Sequence, residues 1–492
     1  MIWWRRLRLL YQLAFLALLL WLLERLAAGD PRTLPYDLLH HGDPLTAAGL
    51  ALAHHAVPTA LGLSLAVVLL TLAGGRIFCG WICPLGTLQE LVARWGTPRR
   101  LRERSGRNRW RPLYRTKYVL LALLAGWAVL GSLQTGLLDP LSLLARGLAA
   151  AVWPLLPVRG PVPGGWIAGA LLAAVVLASV WTPRLFCRAF CPLGALLGLL
   201  ARFSLFRIRR IDGRCTGCLL CVTDCQGADE PLGDHRVEEC MVCLECIDRC
   251  GEHALSYGFS SAPSPLPAVP DLSRRRALGA LAGGLVLGPV LRASGGGRTA
   301  RSATAIRPPG SVPENEFLDR CVKCMLCQQA CPTGAIQPAL SGVGVEGFWT
   351  PVLDMRRGWC EYTCTRCGEV CPTGAIRLLT ADEKIGRNDD PPVRIGTAFI
   401  DRGRCLPWAM ATPCIVCEEM CPTDPKAIWL EEAVDHGRDG NAVRLQRPRI
   451  DPARCVGCGI CENRCPAGEH AAIRVSTAGE TRSAANRMLV GS

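Results

Sequence analysis

Between residues 215 and 250 eight cysteines fall into two runs of one spacing. They are Cys215, Cys218, Cys221 and Cys225, then Cys240, Cys243, Cys246 and Cys250. C-x2-C-x2-C-x3-C is the thiolate spacing that wraps three corners of a [4Fe–4S] cube and lends the fourth cysteine to a neighbouring cube. Two runs in tandem predict a compact two-cluster domain of ferredoxin type. Four more runs follow: Cys321, Cys324, Cys327 and Cys331; Cys360, Cys364, Cys367 and Cys371; Cys405, Cys414, Cys417 and Cys421; Cys455, Cys458, Cys461 and Cys465. Each of these four ends in Cys-Pro. In one, Cys360 stands a residue further out, and in another an eight-residue insertion separates Cys405 from Cys414. Such loops lengthen the path between ligands without changing the ligand set, so six [4Fe–4S] clusters are expected. The spacing leaves open which run lends its fourth cysteine to which cube.

The chain has 28 cysteines in 492 residues, of which the six runs take 24 and two further pairs the other 4. A disulfide framework is expected of short secreted chains, and these cysteines are clustered at ligand spacing in a long one. Structural zinc favours two C-x2-C pairs set well apart, a pattern these runs do not follow.

Half of the residues are hydrophobic and the mean hydropathy is +0.23, which points to membrane segments. Apolar runs occur at Leu9–Leu23, Val57–Ala73, Tyr118–Leu138 and Trp166–Trp181. They are read as four transmembrane helices, the first retained rather than cleaved. The basic loop 94–117 carries ten Arg and Lys against Glu103 alone. By the positive-inside rule that loop is cytoplasmic, and so is the ferredoxin domain at 211–257. The rule also accounts for the net charge of +14, and with little aromatic interleaving no nucleic-acid partner is expected.

The membrane domain, residues 1–210, contains a repeat. Arg76-Ile-Phe-Cys79-Gly-Trp-Ile-Cys83-Pro-Leu-Gly matches Arg184-Leu-Phe-Cys187-Arg-Ala-Phe-Cys191-Pro-Leu-Gly. The four spans therefore read as two duplicated hairpins, each ending in a C-x3-C-P corner where proline turns the helix. Cys79, Cys83, Cys187 and Cys191 are candidates for a shared metal site, for redox-active thiols or for purely structural ones. His40, His41, His54 and His55 lie beside the first two spans, where histidines serve a quinone or haem site or simply occupy a loop.

A proline-rich linker spans 258–272, within a connecting segment assigned to 258–300. Ser273-Arg274-Arg275-Arg276 then opens a modest apolar stretch, Gly279–Leu291, that ends in small residues at Gly297. This is the pattern of a twin-arginine export address, here internal, and it admits a fifth span. The four-cluster domain, 301–492, would follow it outside the cytoplasm. The expected fold is thus a membrane α-helical bundle joined to α+β ferredoxin-like polycluster domains.

On these motifs residues 1–257 resemble the NapH-type membrane ferredoxin subunit, and residues 273–475 resemble the NapG-type four-cluster ferredoxin. The methylamine-utilisation ferredoxins MauN and MauM share both patterns. The resemblance implies electron transfer from the quinol pool, through the clusters, to an extracytoplasmic reductase or cytochrome. It also implies contact with a quinone. A role supplying electrons during assembly of another metalloenzyme is the alternative. No Walker loop, dinucleotide fingerprint or C-x-x-C-H haem site is present, so no nucleotide chemistry is expected.

Overall fold

The computed structural model describes residues 3–28, 38–55, 61–98, 100–152, 165–231, 235–259, 274–293, 305–387, 391–436, 441–483 and 486. The linker from residue 260 and the small-residue stretch from 294 to 297 lie outside them. The chain divides into two compact units, one drawn mainly from residues before 290 and one mainly from residues after 304, with Val322–Cys324 grouped with the first.

The first unit is helical. Its longer helices are α1 (Trp3–Ala28), α2 (Pro44–His54), α3 (Gly62–Gly74), α4 (Pro84–Ala93), α5 (Leu101–Asn108), α6 (Thr116–Val129), α7 (Pro140–Val152), α8 (Gly165–Leu177), α9 (Pro192–Ala201) and α10 (Arg274–Ala293). In α4 and α9 proline occupies the first turn, where its missing N–H costs nothing. The cysteine before each proline is extended, with φ and ψ of −60° and 115° at Cys83 and −75° and 111° at Cys191. The corner is thus a sharp helix–helix junction, made twice. α9 packs on α6 and α3, and α4 packs on α8. α10 lies against α6 at glycines: a Cβ on Gly284 would stand 2.5 Å from Leu123 O, and one on Gly126 2.7 Å from Leu281 O.

The four-span expectation is corrected here. Among the described residues one helix, Trp3–Leu26, is long and apolar enough to cross a membrane. α3 and α8 have 13 residues each and α6 has 14. At 1.5 Å per residue they reach about 20 Å, short of the ~30 Å of hydrocarbon. The apolar run Tyr118–Leu138 continues past the end of α6, but the helix does not. α3 stops at Gly75 (φ 82°) and α6 just before Gly131 (φ 71°), both left-handed positions suited to glycine. Nor is α10 a fifth span, because three arginines fill its first turn and Pro289 interrupts it.

β1 (Phe206–Arg210) and β2 (Leu255–Phe259) are antiparallel, from Phe206 opposite Phe259 to Arg210 opposite Leu255. The strand leading into the first two cysteine runs therefore pairs with the strand leading out, closing both runs into one domain. Ile208, Val222, Val242, Leu244 and Leu255 make its buried core.

In the second unit β3 (Ile336–Pro338) pairs with β4 (Pro351–Leu353). β5 (Thr397–Ile400) pairs with β8 (Ile473–Ser476), bracketing the last two runs as β1 and β2 bracket the first two. Between those runs β6 (Ile428–His436) and β7 (Ala442–Ile450), nine residues each, pair as an antiparallel hairpin. It supports the insertion after Cys405: Trp408 Nε1 donates to Pro448 O at 3.3 Å, and the guanidinium groups of Arg402, Arg447 and Arg449 lie 4.4–4.9 Å from the Trp408 ring centre.

Candidate metal centres and the cysteine corners

In all four runs of regular spacing, the residues before and after the second cysteine are left-handed. They are Gly217 and Leu219, Val242 and Leu244, Lys323 and Met325, and Gly457 and Gly459, with φ from 49° to 79°. Alternating the backbone in this way turns successive N–H groups into one concavity, the nest that favours a negatively charged cluster. A short helical turn then carries the third cysteine: Leu220–Thr223, Glu245–Arg249, Leu326–Ala330 and Ile460–Arg464. Near the fourth cysteine, backbone N–H groups aim at sulfur. Asp229 N lies 3.3 Å from Cys225 Sγ, Ala254 N 3.2 Å from Cys250 Sγ and Ala472 N 3.3 Å from Cys465 Sγ. N–H donors of this kind stabilise thiolate ligands and set a cluster's potential.

The structure also answers which run lends to which. One cavity is lined by Cys215, Cys218, Cys221 and Cys250. A second is lined by Cys405, Cys414, Cys417 and Cys465. Each draws its fourth cysteine from the partner run. The reciprocal sets follow by the same exchange, Cys225 joining Cys240, Cys243 and Cys246, and Cys421 joining Cys455, Cys458 and Cys461. Burial pushes the Cys246 thiol well up, and Cys243 and Cys225 push it further. Cys461 is raised the same way, by burial and then by Cys458, Cys455, Cys417 and Cys421. Burial raises the Cys367 thiol, with Cys360, Cys331 and Cys364 adding to it and Lys384 opposing them; by the same exchange Cys331 completes the irregular run that begins at Cys360. Among the described residues no three His, Cys, Asp or Glu side chains stand close enough to hold a single ion. A cube binds each thiolate at a different iron, so its ligands stand further apart than those sharing one zinc.

The two C-x3-C-P corners converge. Each is closed by a wide turn, with the N–H of the second cysteine bonded five residues back: Cys83 to Phe78 O and Cys191 to Phe186 O, both at 2.9 Å. The arginines three residues before each first cysteine cross between repeats. Arg76 lies against Gly194, where a Cβ would stand 2.8 Å from its Nη2, and Arg184 lies against Gly86 at 3.3 Å. Arg184 Nη1 also donates to Cys79 O at 2.8 Å. Cys83, Cys187 and Cys191 are buried and Cys79 partly so. Burial pushes the Cys83 thiol up, with Cys187 and Cys79 adding to it, and Cys191 is raised by burial and then by Cys187, Cys79 and Cys83.

Buried charge locks these corners to the first two runs. Glu90 accepts from Arg8 Nη1 and Nη2 at 3.0 and 2.8 Å and from Arg184 Nη2 at 2.7 Å. Burial alone would raise its carboxyl, but Arg184 and Arg8 hold it down at about 2. Arg76 Nη1 reaches Glu238 O at 2.9 Å, and Lys117 pairs with Glu239. A Cβ on Gly80 would stand 2.2 Å from Met241 O, and Trp81 Nε1 donates to Val242 O at 2.9 Å. The motif reading missed Arg76, Arg184, Glu90 and Lys117. An arginine three residues before the first cysteine in both repeats was the available signal. His40, His41, His54 and His55 lie on or next to two short helices, Leu38–His41 and Pro44–His54.

Nested N–H loops, exchanged fourth cysteines and cysteine-lined cavities define a multi-cluster iron–sulfur protein of ferredoxin type, whose chemistry is electron transfer. A family model described as a 4Fe-4S binding domain matches residues 56–103 and 163–211, and a second of the same description matches 317–337 and 448–468. The methylamine utilization ferredoxin-type protein MauM of Paracoccus denitrificans is 38% identical over 173 residues, covering 35% of this chain and 71% of the relative. MauM of Methylorubrum extorquens is 35% identical over 174 residues, covering 35% and 73%. Protein NirI of Paracoccus denitrificans is 33% identical over 194 residues, covering 37% and 26%. The chain belongs to the MauM family of ferredoxin-type proteins. No solved structure matches it.

Proposed function

We propose that the chain takes electrons from the quinol pool of a membrane and passes them in series to a reductase or cytochrome outside the cytoplasm. The observation that carries this reading is the serial order of the ligand sets in the second unit. Cys331 joins the set of Cys360, Cys364 and Cys367; Cys360 N bonds Cys458 O at 2.8 Å; and the Cys458 set exchanges ligands with the Cys405 set. By the same exchange Cys371 serves the run that opens at Cys321. A [4Fe–4S] cube changes by one electron, so a two-electron donor suits a chain with many.

The residues' part is to hold sulfur, exclude water and tune charge. Ile208, Val222, Leu244 and Leu255 supply the apolar shell of the first pair. Membrane attachment through α1 is supported by its outward Leu10, Leu13, Leu20 and Trp21, and by Arg8 and Gln12, which are buried on its other side. The two-part layout, corners first and four runs after, is that of a NapH-like and a NapG-like part in one chain, and Arg274–Arg276 fits an export address for the second. The test uses membranes carrying the full chain. Duroquinol should bring up the low-temperature EPR signals of reduced clusters, and a C-terminal protease-sensitive tag should be cut from the outer face only. Clusters that stay oxidised under duroquinol while dithionite reduces them overturn the quinol reading; cutting from the inner face alone overturns the acceptor's location.

A further inference from the structure

We propose that Cys79, Cys83, Cys187 and Cys191 jointly hold one further [4Fe–4S] cluster, shared across the two halves of the repeat and adjoining the set of Cys225, Cys240, Cys243 and Cys246. Each family match, 56–103 and 163–211, contains one C-x3-C pair, half the thiolates that a cube takes. The two matches therefore describe halves of one site rather than two sites.

The geometry brings those halves together. Each repeat's arginine packs on the other repeat's Cys-Pro-Leu-Gly glycine, as two objects related by an approximate two-fold axis do. Arg76 bridges the two halves, its Nη2 lying 3.9 Å from Cys79 Sγ and 2.8 Å from the Cβ position of Gly194, which is itself 3.5 Å from Cys191 Sγ. Gly194 N donates to Cys191 Sγ at 3.2 Å, the same N–H to sulfur contact made at Cys225, Cys250 and Cys465.

Charge points the same way. Arg76, Arg184 and Lys117 are fully buried around the four sulfurs, and Arg76 Nη2 reaches Cys79 Sγ at 3.9 Å. A cube with four thiolates is net negative, and buried cations offset it.

Adjacency to the next set rests on shared contacts. Arg184 Nη1 spans Cys79 O at 2.8 Å and Met241 Sδ at 3.4 Å, and Met241 follows Cys240 directly. Arg188, next to Cys187, donates to Cys225 O at 2.9 Å. The corner site therefore meets the wire at the Cys240 set rather than at the Cys215 set. With it, the 28 cysteines form seven sets of four with none left over.

The proposal rests on the chain being an iron–sulfur protein and not on the identity of its electron donor, so metal analysis reads it independently of the quinol experiment. The full chain, purified without oxygen, should carry about 28 iron and as many acid-labile sulfides, four per cube over seven cubes. Cys79→Ala/Cys83→Ala and Cys187→Ala/Cys191→Ala should each lose about four, and the quadruple variant no more than about four. EPR signals of the Cys215–Cys250 clusters report that each variant remains folded. About 24 iron in the unaltered chain, four per cube over six, overturns the proposal without any variant. So does one zinc per chain released by the substitutions, or a quadruple variant that loses twice as much iron as either double.

Discussion

Lys384 donates from Nζ to Cys360 Sγ at 3.3 Å, and the same ammonium reaches the carbonyls of Glu361 and Cys364 at 2.6 Å each. A buried lysine so placed is held by backbone oxygen and aimed at a ligand sulfur. It compensates the irregular spacing of this run, whose loop lacks the left-handed pair found in the four regular ones. A positive charge beside a ligand favours the reduced cube. A charge-assisted hydrogen bond is worth about 1.5–3 kcal/mol. For one electron this corresponds to roughly 60–130 mV. Lys384→Met should lower one cluster potential by that order in an EPR-monitored redox titration and leave the others in place.

Exchange of fourth cysteines makes a single substitution act at a distance in sequence. Cys465→Ser should open the set of Cys405, Cys414 and Cys417 to alkylation while Cys455, Cys458 and Cys461 stay protected. Peptide mass spectrometry after brief iodoacetamide treatment reads the outcome. Exposure of Cys455 instead would mean that the run keeps its own fourth ligand.

Glu90 is the common partner of Arg8 and Arg184, both fully buried. Removing one member of such a group leaves uncompensated charge and costs about 3–5 kcal/mol. Glu90→Gln should lower the urea midpoint accordingly at neutral pH. The carboxyl is held at about 2, below its ordinary 4.5, so its contribution is full above pH 4.5 and fades as pH falls toward 2. The variant should show a flatter acid limb than the unaltered chain.

Gly80 leaves no room for a methyl group against Met241 O. Gly80→Ala should push the first corner off the loop 240–243 at a cost of about 1–3 kcal/mol. The expected result is a broadened EPR signal from the Cys240 set with that of the Cys215 set unchanged.

The cysteine runs were legible because a cube dictates ligand spacing along the chain, and the repeat was legible because both corners keep Arg-x-Phe-Cys and Cys-Pro-Leu-Gly. The four spans were misread because hydropathy counts apolar residues without seeing where the backbone turns, as it does at Gly131 inside the third run. Which run lends its fourth cysteine to which cube was hidden for another reason. Cys225 and Cys250 have equivalent positions in equivalent runs, and only the antiparallel pairing of β1 with β2, which folds one run against the other, breaks the tie.

The left-handed residues flanking each second cysteine differ in kind from run to run. Gly457 and Gly459 adopt that conformation freely, whereas Val242 and Leu244 do so at about 1–2 kcal/mol each. Metal binding has to offset that cost in one loop and not in the other. When iron is limiting, the set begun by Cys455 should therefore fill before the set begun by Cys240, an order set by residues that never touch metal.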